Sequence, residues 1–423
     1  MEILNTIAIL LTLSAVFSYL NYRFIQLPTA IGIMLISLIL SLLLLFSGKL
    51  GLFDVSNQAR VLIEGIDFHT TLINGMLSFL LFAGALHVNI NELSKQKWVI
   101  FVLATVGVVS STFLIAGISW AILNALELNI SFIYCLLFGA LISPTDPIAV
   151  LGILKTVGVP KSLEIKISGE SLFNDGVAVV VFLVLLGIAT GQSEASVSSV
   201  TLLFIQEAIG GAVYGLVIGG LCFYMLRSVN NYQVEVLLTL ALVMGGYAFA
   251  TAIHVSGPIA MVVAGLIIGN HGRGLAMSDS TREHLDSFWE LLDEILNAVL
   301  FLLIGLEVLV LVYHIEYFLA ALAIIPVVLI SRFVAVGAPI QVMKKIREFS
   351  PGVVRLMTWG GLRGGISVAL ALSLPQGSER EVILAVTYAV VIFSVLVQGL
   401  TLGSLAKQVQ EEALRALVKK HVQ

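Results

Sequence analysis

The amino-acid sequence predicts an all-α protein that crosses a membrane many times. Of its 423 residues, 59% are hydrophobic and only 11% are charged, whereas about a quarter of the residues of a soluble protein are charged. The mean hydropathy is +1.05. The apolar residues form continuous runs of about twenty, the length of a membrane-spanning helix, and not the alternating segments of an outer-membrane barrel.

We expect thirteen membrane spans from these apolar runs. They cover residues 3–20, 28–46, 71–88, 98–123, 132–154, 167–190, 200–226, 234–253, 257–270, 289–313, 316–340, 354–374 and 381–405. The ninth is short and opens with Gly257-Pro258, so a re-entrant segment is the alternative. Without it, the basic cluster at 344–355 would lie outside, against the positive-inside rule. We therefore expect all thirteen to cross.

The distribution of basic residues gives the expected orientation. With the N-terminus outside and the C-terminus in the cytoplasm, only Lys49, Arg60 and Arg380 lie in outer connections. Two further arginines, Arg332 and Arg363, lie within spans, and all other basic residues face the cytoplasm. This asymmetry is typical of inner-membrane proteins.

Two spans contain residues that interrupt a helix. The fifth has Pro144 and Pro147 near its middle, and the twelfth has pairs of glycines on either side of Arg363. Because these spans are seven apart, they cross the membrane in opposite directions. This is the pattern expected if spans 1 to 6 and spans 8 to 13 are two inverted repeats that the seventh span joins. Interrupted helices at matching positions of inverted repeats indicate a transporter site. Two unrelated kinks are the alternative, since proline and glycine are common in membrane helices.

Three carboxylates, Asp146, Glu170 and Asp175, fall inside these apolar runs. Ionisable groups at such depth are functional candidates. Asp175, the Ser171 hydroxyl and the backbone carbonyls around Thr145 supply the oxygen ligands that a hard cation prefers. No histidine or cysteine joins them, which disfavours zinc or copper. Asp146 is a ligand, a structural partner of half-helix N-termini, or both.

Arg332 lies too deep in its span to reach water, so it needs an anionic partner. Glu170 is the candidate, and an ion pair between them would leave Asp175 as the titrating carboxylate. Arg363 either balances the C-terminal end of a half-helix or pairs with a carboxylate, and the role of Glu307 is open. Three acidic residues that open the tenth span either line an entrance that attracts cations or form an ordinary solvated helix start. They are Glu290, Asp293 and Glu294.

Three motifs occur in order: Ser143-Pro144-Thr145-Asp146-Pro147, Gly169 to Gly176 and Trp359 to Gly365. Together they resemble the sodium/proton exchanger branch of the cation:proton antiporters, in particular the prokaryotic NhaP type. The resemblance covers nearly the whole chain. It implies a homodimer in which a core domain moves against a dimer domain like an elevator.

Carried onto this chain, the resemblance implies six segments. The dimer domain is 1–97 and 234–315, the core domain is 98–190 and 316–406, the linker helix is 191–233, and a short cytoplasmic tail is 407–423.

The resemblance also implies the roles of the site residues. Asp175, Ser171, Asp146 and the Thr145 backbone hold Na⁺ or Li⁺, and Asn174 braces the unwound segment. Structural support comes from Glu170 paired with Arg332, and from Arg363. An asparagine before the ion-binding aspartate accompanies electroneutral exchange in this family.

The expected function is therefore secondary-active sodium (or lithium)/proton antiport, in which cation and proton compete for Asp175. Its expected roles are sodium transport and pH homeostasis at the cell (inner) membrane of a prokaryote. We expect no cofactor, no enzymatic activity and no nucleic-acid partner, only membrane lipid, a second copy of the chain, and the transported ions. The alternatives are potassium/proton antiport at the same site, and a cation channel or ion-sensing receptor with this fold.

Overall fold

Helices account for all the regular secondary structure in the part of the chain that the computed structural model describes. That part comprises residues 3–49, 71–191, 196–272, 277, 279–311, 314–347 and 349–422. Within it, eight helices are long and apolar enough to cross a membrane, and shorter apolar helices lie at Thr71–Leu86, Phe132–Ile142 and Gly257–Asn270. The expectation of an all-α, multi-pass membrane protein is confirmed.

Seventeen α-helices are numbered here in chain order over the described residues. They are α1 Ile3–Leu20, α2 Thr29–Lys49, α3 Thr71–Leu86, α4 Ile90–Lys95, α5 Lys97–Ala125, α6 Phe132–Ile142, α7 Ile148–Val157, α8 Lys161–Ala189, α9 Val197–Arg227, α10 Tyr232–Ala252, α11 Gly257–Ile267, α12 Asp279–Glu307, α13 Ile315–Met343, α14 Val353–Trp359, α15 Gly365–Leu372, α16 Ser378–Phe393 and α17 Gly399–Val422. Single π-helical turns follow or interrupt several of them, for example Ser394–Gln398 between α16 and α17.

Two helix ends extend furthest beyond the boundaries expected from hydropathy. Helix α12 begins at Asp279, ten residues before the expected span, and α17 continues without a break into the segment expected to be a separate tail. Both extensions are polar. Hydropathy marks where a helix leaves the apolar layer, whereas the helix itself continues until a cap or a breaker ends it.

Local sequence explains the ends of several helices. Asn231 caps α10 by accepting hydrogen bonds from the backbone of Gln233 and Val234, and Ser256 caps α11 just before Pro258. Gly158 ends α7 in the left-handed region, at φ +76°, where glycine has no steric penalty.

The helices pack in two groups. In one, α5 packs along α6 and α13, α13 also packs on α16, and α8 packs on α6. In the other, α11 packs on α3, α9 and α10, and α12 packs on α2, α1 and α3. Helix α8 touches α9 and α11, so it lies at the boundary between the two groups. Asp146 and Asp175, of the fifth and sixth expected spans, lie at this boundary, because the cavity that they line is also lined by residues of α3 and α12.

Candidate functional site

The site forms where two interrupted helices meet. Helix α6 stops at Ile142 and α7 starts at Ile148, while α14 stops at Trp359 and α15 starts at Gly365. Proline lacks a backbone donor and disrupts the preceding turn, so the first break falls at Pro144 and Pro147. The two breaks are joined directly, because the Asp146 backbone N–H donates to the Leu362 carbonyl at 2.8 Å.

Arg363 closes the C-terminal end of α6. Its Nη1 donates to the carbonyl oxygens of Ser143 and Pro144, at 2.6 and 2.8 Å, and the side chain is buried. The last carbonyls of a helix lack partners within it and carry partial negative charge. These contacts support the first of the two roles that the sequence left open, in which Arg363 balances a half-helix end.

Helix α8 contains a group of four buried polar residues, which are Glu170, Ser171, Asn174 and Asp175. Asn174 is the one that holds the first break in place: its Oδ1 accepts from the Thr145 backbone N–H at 3.3 Å, and its Nδ2 donates to Thr145 Oγ1 at 2.9 Å. The Ser171 and Thr145 hydroxyl oxygens lie 2.9 Å apart. Thr145 is thus fixed through both its backbone and its side chain.

Glu170 is neutralised by Arg332 of α13. The two guanidinium nitrogens Nη1 and Nη2 contact the two carboxylate oxygens, at 2.5 and 2.8 Å, and both side chains are buried. This bidentate geometry is the strongest form of an arginine–carboxylate pair. Gly361 leaves room for it, since a β-carbon there would lie 2.8 Å from Arg332 Nε.

Asp146 and Asp175 face a common cavity of about 690 Å³. Thr145 also lines it, whereas Ser171 and Asn174 lie behind this lining and contact Thr145. The opposite wall contains Glu290, Asp293 and Glu294 of α12, so the three acidic residues at the start of the tenth expected span line this cavity. Only 6% of Asp175 is exposed.

Glycines bring the walls of the site together. A β-carbon on Gly364 would overlap the Asp146 carboxylate, and one on Gly365 would overlap Leu300 of α12. Gly176, directly after Asp175, makes a similar approach to Ile259 of α11, at 2.8 Å. Side chains of the second helix group therefore reach the backbone beside both aspartates.

The structure brings together the residues expected at the site. Glu307, whose role the sequence left open, is the last residue of α12 and does not line the cavity. One supporting residue was missed, Ser394, whose hydroxyl accepts from the Arg363 backbone N–H at 2.9 Å. No sequence signal could have identified it, because a single serine in an apolar run is ordinary in a membrane helix.

Comparisons with known proteins show the family of this chain. The family model for transmembrane sodium/hydrogen exchangers matches residues 10–408. The Na⁺/H⁺ antiporter NhaP of Pseudomonas aeruginosa is 52% identical over 410 residues, 96% of this chain and 97% of the relative. The Na⁺/H⁺ antiporter NhaH of Halobacillus dabanensis is 36% identical over 385 residues, 90% and 92% of the two chains.

The fold has a solved counterpart. The sodium proton antiporter MjNhaP1 from Methanocaldococcus jannaschii, at pH 8, superposes with a TM-score of 0.74 over 97% of this chain and 100% of that chain, at 22% identity. At that identity, the likeness shows the shared fold. Together with the family match and the close relatives, it leads to one conclusion: the chain belongs to the sodium/hydrogen exchanger family, as a secondary transporter of the prokaryotic NhaP type and not an enzyme.

Proposed function

We propose that this protein exchanges Na⁺ or Li⁺ for H⁺, with Asp175 as the group that binds either the cation or the proton. One observation carries the proposal. Among the described residues, no basic side chain lies within salt-bridge distance of the Asp175 carboxylate, which is buried beside a cavity, whereas the neighbouring Glu170 is neutralised by Arg332. A buried carboxylate without a direct ion pair is costly unless it binds a proton or a cation.

The oxygen atoms around Asp175 suit a monovalent cation. Asp146 lines the same cavity, Thr145 and Ser171 contribute hydroxyl and backbone oxygens, and Asn174 holds Thr145 in place. In the proposed site, Asp175, Asp146, Ser171 and the Thr145 backbone are the ligands. Arg332 and Arg363 compensate the remaining buried charge and the half-helix end.

The coupling between cation flux and proton flux follows from the charge on Asp175. A core carrying a cation or a proton on Asp175 is close to neutral there and can cross the apolar barrier, whereas the empty, charged site is held back by desolvation. Because one carboxylate serves both ions, binding of one excludes the other. The neutral side chain of Asn174, next to Asp175, supports one-for-one, electroneutral exchange.

We propose that one helix group moves against the other, and that this movement gives the site alternating access to the two sides of the membrane. The grouping of α5, α6, α8, α13 and α16 apart from α2, α3, α11 and α12 supports the core and dimer domains expected from the sequence. The thirteen spans, the inverted repeats, the homodimer and the orientation with the C-terminus in the cytoplasm belong to the same proposal. The basic side chains Lys155 and Lys161 line the cavity, so in this orientation the site is open to the cytoplasm.

A flux assay with the purified protein in liposomes tests the proposal. An internal pH dye would report proton movement on addition of Na⁺, Li⁺ or K⁺, each across a series of pH values. We expect saturable proton flux with Na⁺ and Li⁺, and an apparent KM for Na⁺ that rises as the pH falls, because protons compete for the same carboxylate. Flux with K⁺ alone would favour potassium/proton exchange, and unsaturable current would favour a channel.

A further inference from the structure

Lys166 is a buried cation without an anionic partner among the described residues. It lies on α8 directly before the sixth expected span, and only 4% of it is exposed. Its ammonium nitrogen lies 5.1 Å from the centre of the Phe349 ring. Within the described part of the chain, no carboxylate is at salt-bridge distance from this nitrogen, and no hydrogen-bond acceptor contacts it. A buried charge is costly unless an opposite charge neutralises it, and an aromatic ring supplies only part of that compensation.

A second basic side chain is held beside Lys166. Arg347, in the segment that follows α13, donates from Nη1 to the carbonyl oxygen of Lys95 at the end of α4, at 2.8 Å. Gly169 of α8 packs against the same helix, since a β-carbon there would lie 2.8 Å from Leu93. Residues three positions apart share a helix face, so Lys166 and Arg347 both lie against α4. Their positive charges are near enough to repel each other, and an anion between them would remove this repulsion.

The described carboxylates closest in sequence are engaged elsewhere. Glu92 of α4 forms an ion pair with Lys95, at 2.6 Å. Glu164 of α8 lines the ion cavity, whereas Lys166 does not. Two positions apart on a helix is a rotation of about 200°, so these two side chains leave α8 on nearly opposite faces. Neither carboxylate is available to neutralise Lys166.

The surroundings of these cations belong to the level of the lipid headgroups. Trp98, the second residue of α5, is 61% exposed, and Ile346, directly before Arg347, is 86% exposed. Tryptophan is enriched where a membrane meets water. An apolar side chain that is exposed beside basic residues is stabilised by lipid, because the chain enters the acyl region while the charges meet the headgroups. The anion that reaches this depth in quantity is the phosphate of a phospholipid.

We propose that Lys166 and Arg347 bind the headgroup phosphate of an anionic phospholipid, between α4, α8 and the segment that follows α13. Arg347 uses one nitrogen for the Lys95 carbonyl, and the remaining donors of its guanidinium group suit phosphate oxygens. In the proposed orientation this side faces the cytoplasm, where basic pockets between membrane helices bind anionic headgroups. The inference does not depend on which ions the protein exchanges.

Melting temperatures in an uncharged detergent test the lipid site. Phosphatidylglycerol is expected to raise the melting temperature of the delipidated protein more than phosphatidylcholine does, because a ligand of the folded state stabilises it. Lys166→Met, which keeps an unbranched side chain of similar length, should lose most of this difference. Without lipid, the same variant should melt at or above the temperature of the unmodified protein, because it no longer buries an unpaired charge. Native mass spectrometry should show a retained phosphatidylglycerol in the unmodified protein that Lys166→Met lacks.

Arg23→Met is the matched control. Arg23 also lies over an aromatic ring, 6.0 Å from the centre of Phe24, but it is exposed. Water therefore solvates its charge, and the control should keep the phosphatidylglycerol effect.

Three results would overturn the inference. An equal effect of phosphatidylglycerol on Lys166→Met and on the unmodified protein would show that the lipid does not bind at Lys166. An equal rise with inorganic phosphate would show that the ligand is not a lipid. Glu348 follows Arg347 in the sequence and lies outside the described residues. If Lys166→Met and Glu348→Gln both lower the melting temperature in the absence of lipid, that carboxylate neutralises Lys166 and a phospholipid does not.

Discussion

Arg332 contacts both carboxylate oxygens of Glu170, at 2.5 and 2.8 Å. Glu170 lies five positions before Asp175 on α8. The two carboxylates of α8 are therefore in different states. Glu170 has a fixed cationic partner, while Asp175 faces the cavity. In the proposed mechanism, Arg332 neutralises Glu170 permanently, and Asp175 is the carboxylate that changes its charge as ions bind and leave.

Removing one member of this pair is expected to destabilise the protein strongly. Glu170→Gln leaves the buried Arg332 guanidinium without its counter-charge, and breaking a buried pair in this way costs about 3–5 kcal/mol. The measurement is the melting temperature of the purified protein in detergent, followed by tryptophan fluorescence. We expect a large decrease, and partial recovery when Arg332→Met is added, because no unpaired charge then remains.

The exposed ion pair between Arg355 and Glu412 provides the control. Its side chains are 51% and 42% exposed, and pairs of this kind contribute about 0–1 kcal/mol. Glu412→Gln should leave the melting temperature almost unchanged. If Glu170→Gln has no larger effect than Glu412→Gln, Arg332 does not depend on Glu170 for its charge balance.

The Glu170–Arg332 pair could be predicted from sequence because a deep arginine must have an anionic partner and few candidates exist. The sequence could not decide between the two roles of Arg363, because a guanidinium can pair with a helix end or with a carboxylate. Only the distances in the structure distinguish the two.

Asp175→Asn is expected to abolish exchange while the protein still folds. Asparagine keeps the size of the side chain but can neither release a proton nor supply a charge to the cation, so both fluxes stop together. Sodium-dependent proton flux in liposomes is the measurement. Glu283→Gln should retain it, because Glu283 is an exposed residue of α12 that does not line the cavity. Sodium-dependent flux in Asp175→Asn, at an intact melting temperature, would show that another group carries the proton.

Asn174→Asp is expected to make transport sensitive to membrane potential. The substitution adds a second carboxylate beside Asp175 and removes the Nδ2 donor to Thr145 Oγ1, while the oxygen that accepts from the Thr145 N–H remains. With two carboxylates, the site can bind an additional proton for each cation exchanged. Flux should then respond to a valinomycin-imposed potassium potential, whereas the unmodified protein should not. Potential-dependent flux in the unmodified protein would contradict electroneutral exchange.

Gly364→Ala is expected to disrupt the site through its effect on Asp146. A β-carbon at this position would overlap the Asp146 carboxylate, so the aspartate must move away or the two interrupted helices must separate. Overpacking of this kind typically costs about 1–3 kcal/mol, and displacing a proposed ligand should raise the apparent KM for Na⁺. Flux kinetics and melting temperature together measure both effects.

Gly245→Ala is the matched control, because Gly245 lies within α10 with no atom within 4 Å of the added carbon. Alanine is favoured over glycine inside a helix, so this control should be neutral or slightly stabilising. If Gly364→Ala matches it in both measurements, Asp146 does not need the close approach that Gly364 permits.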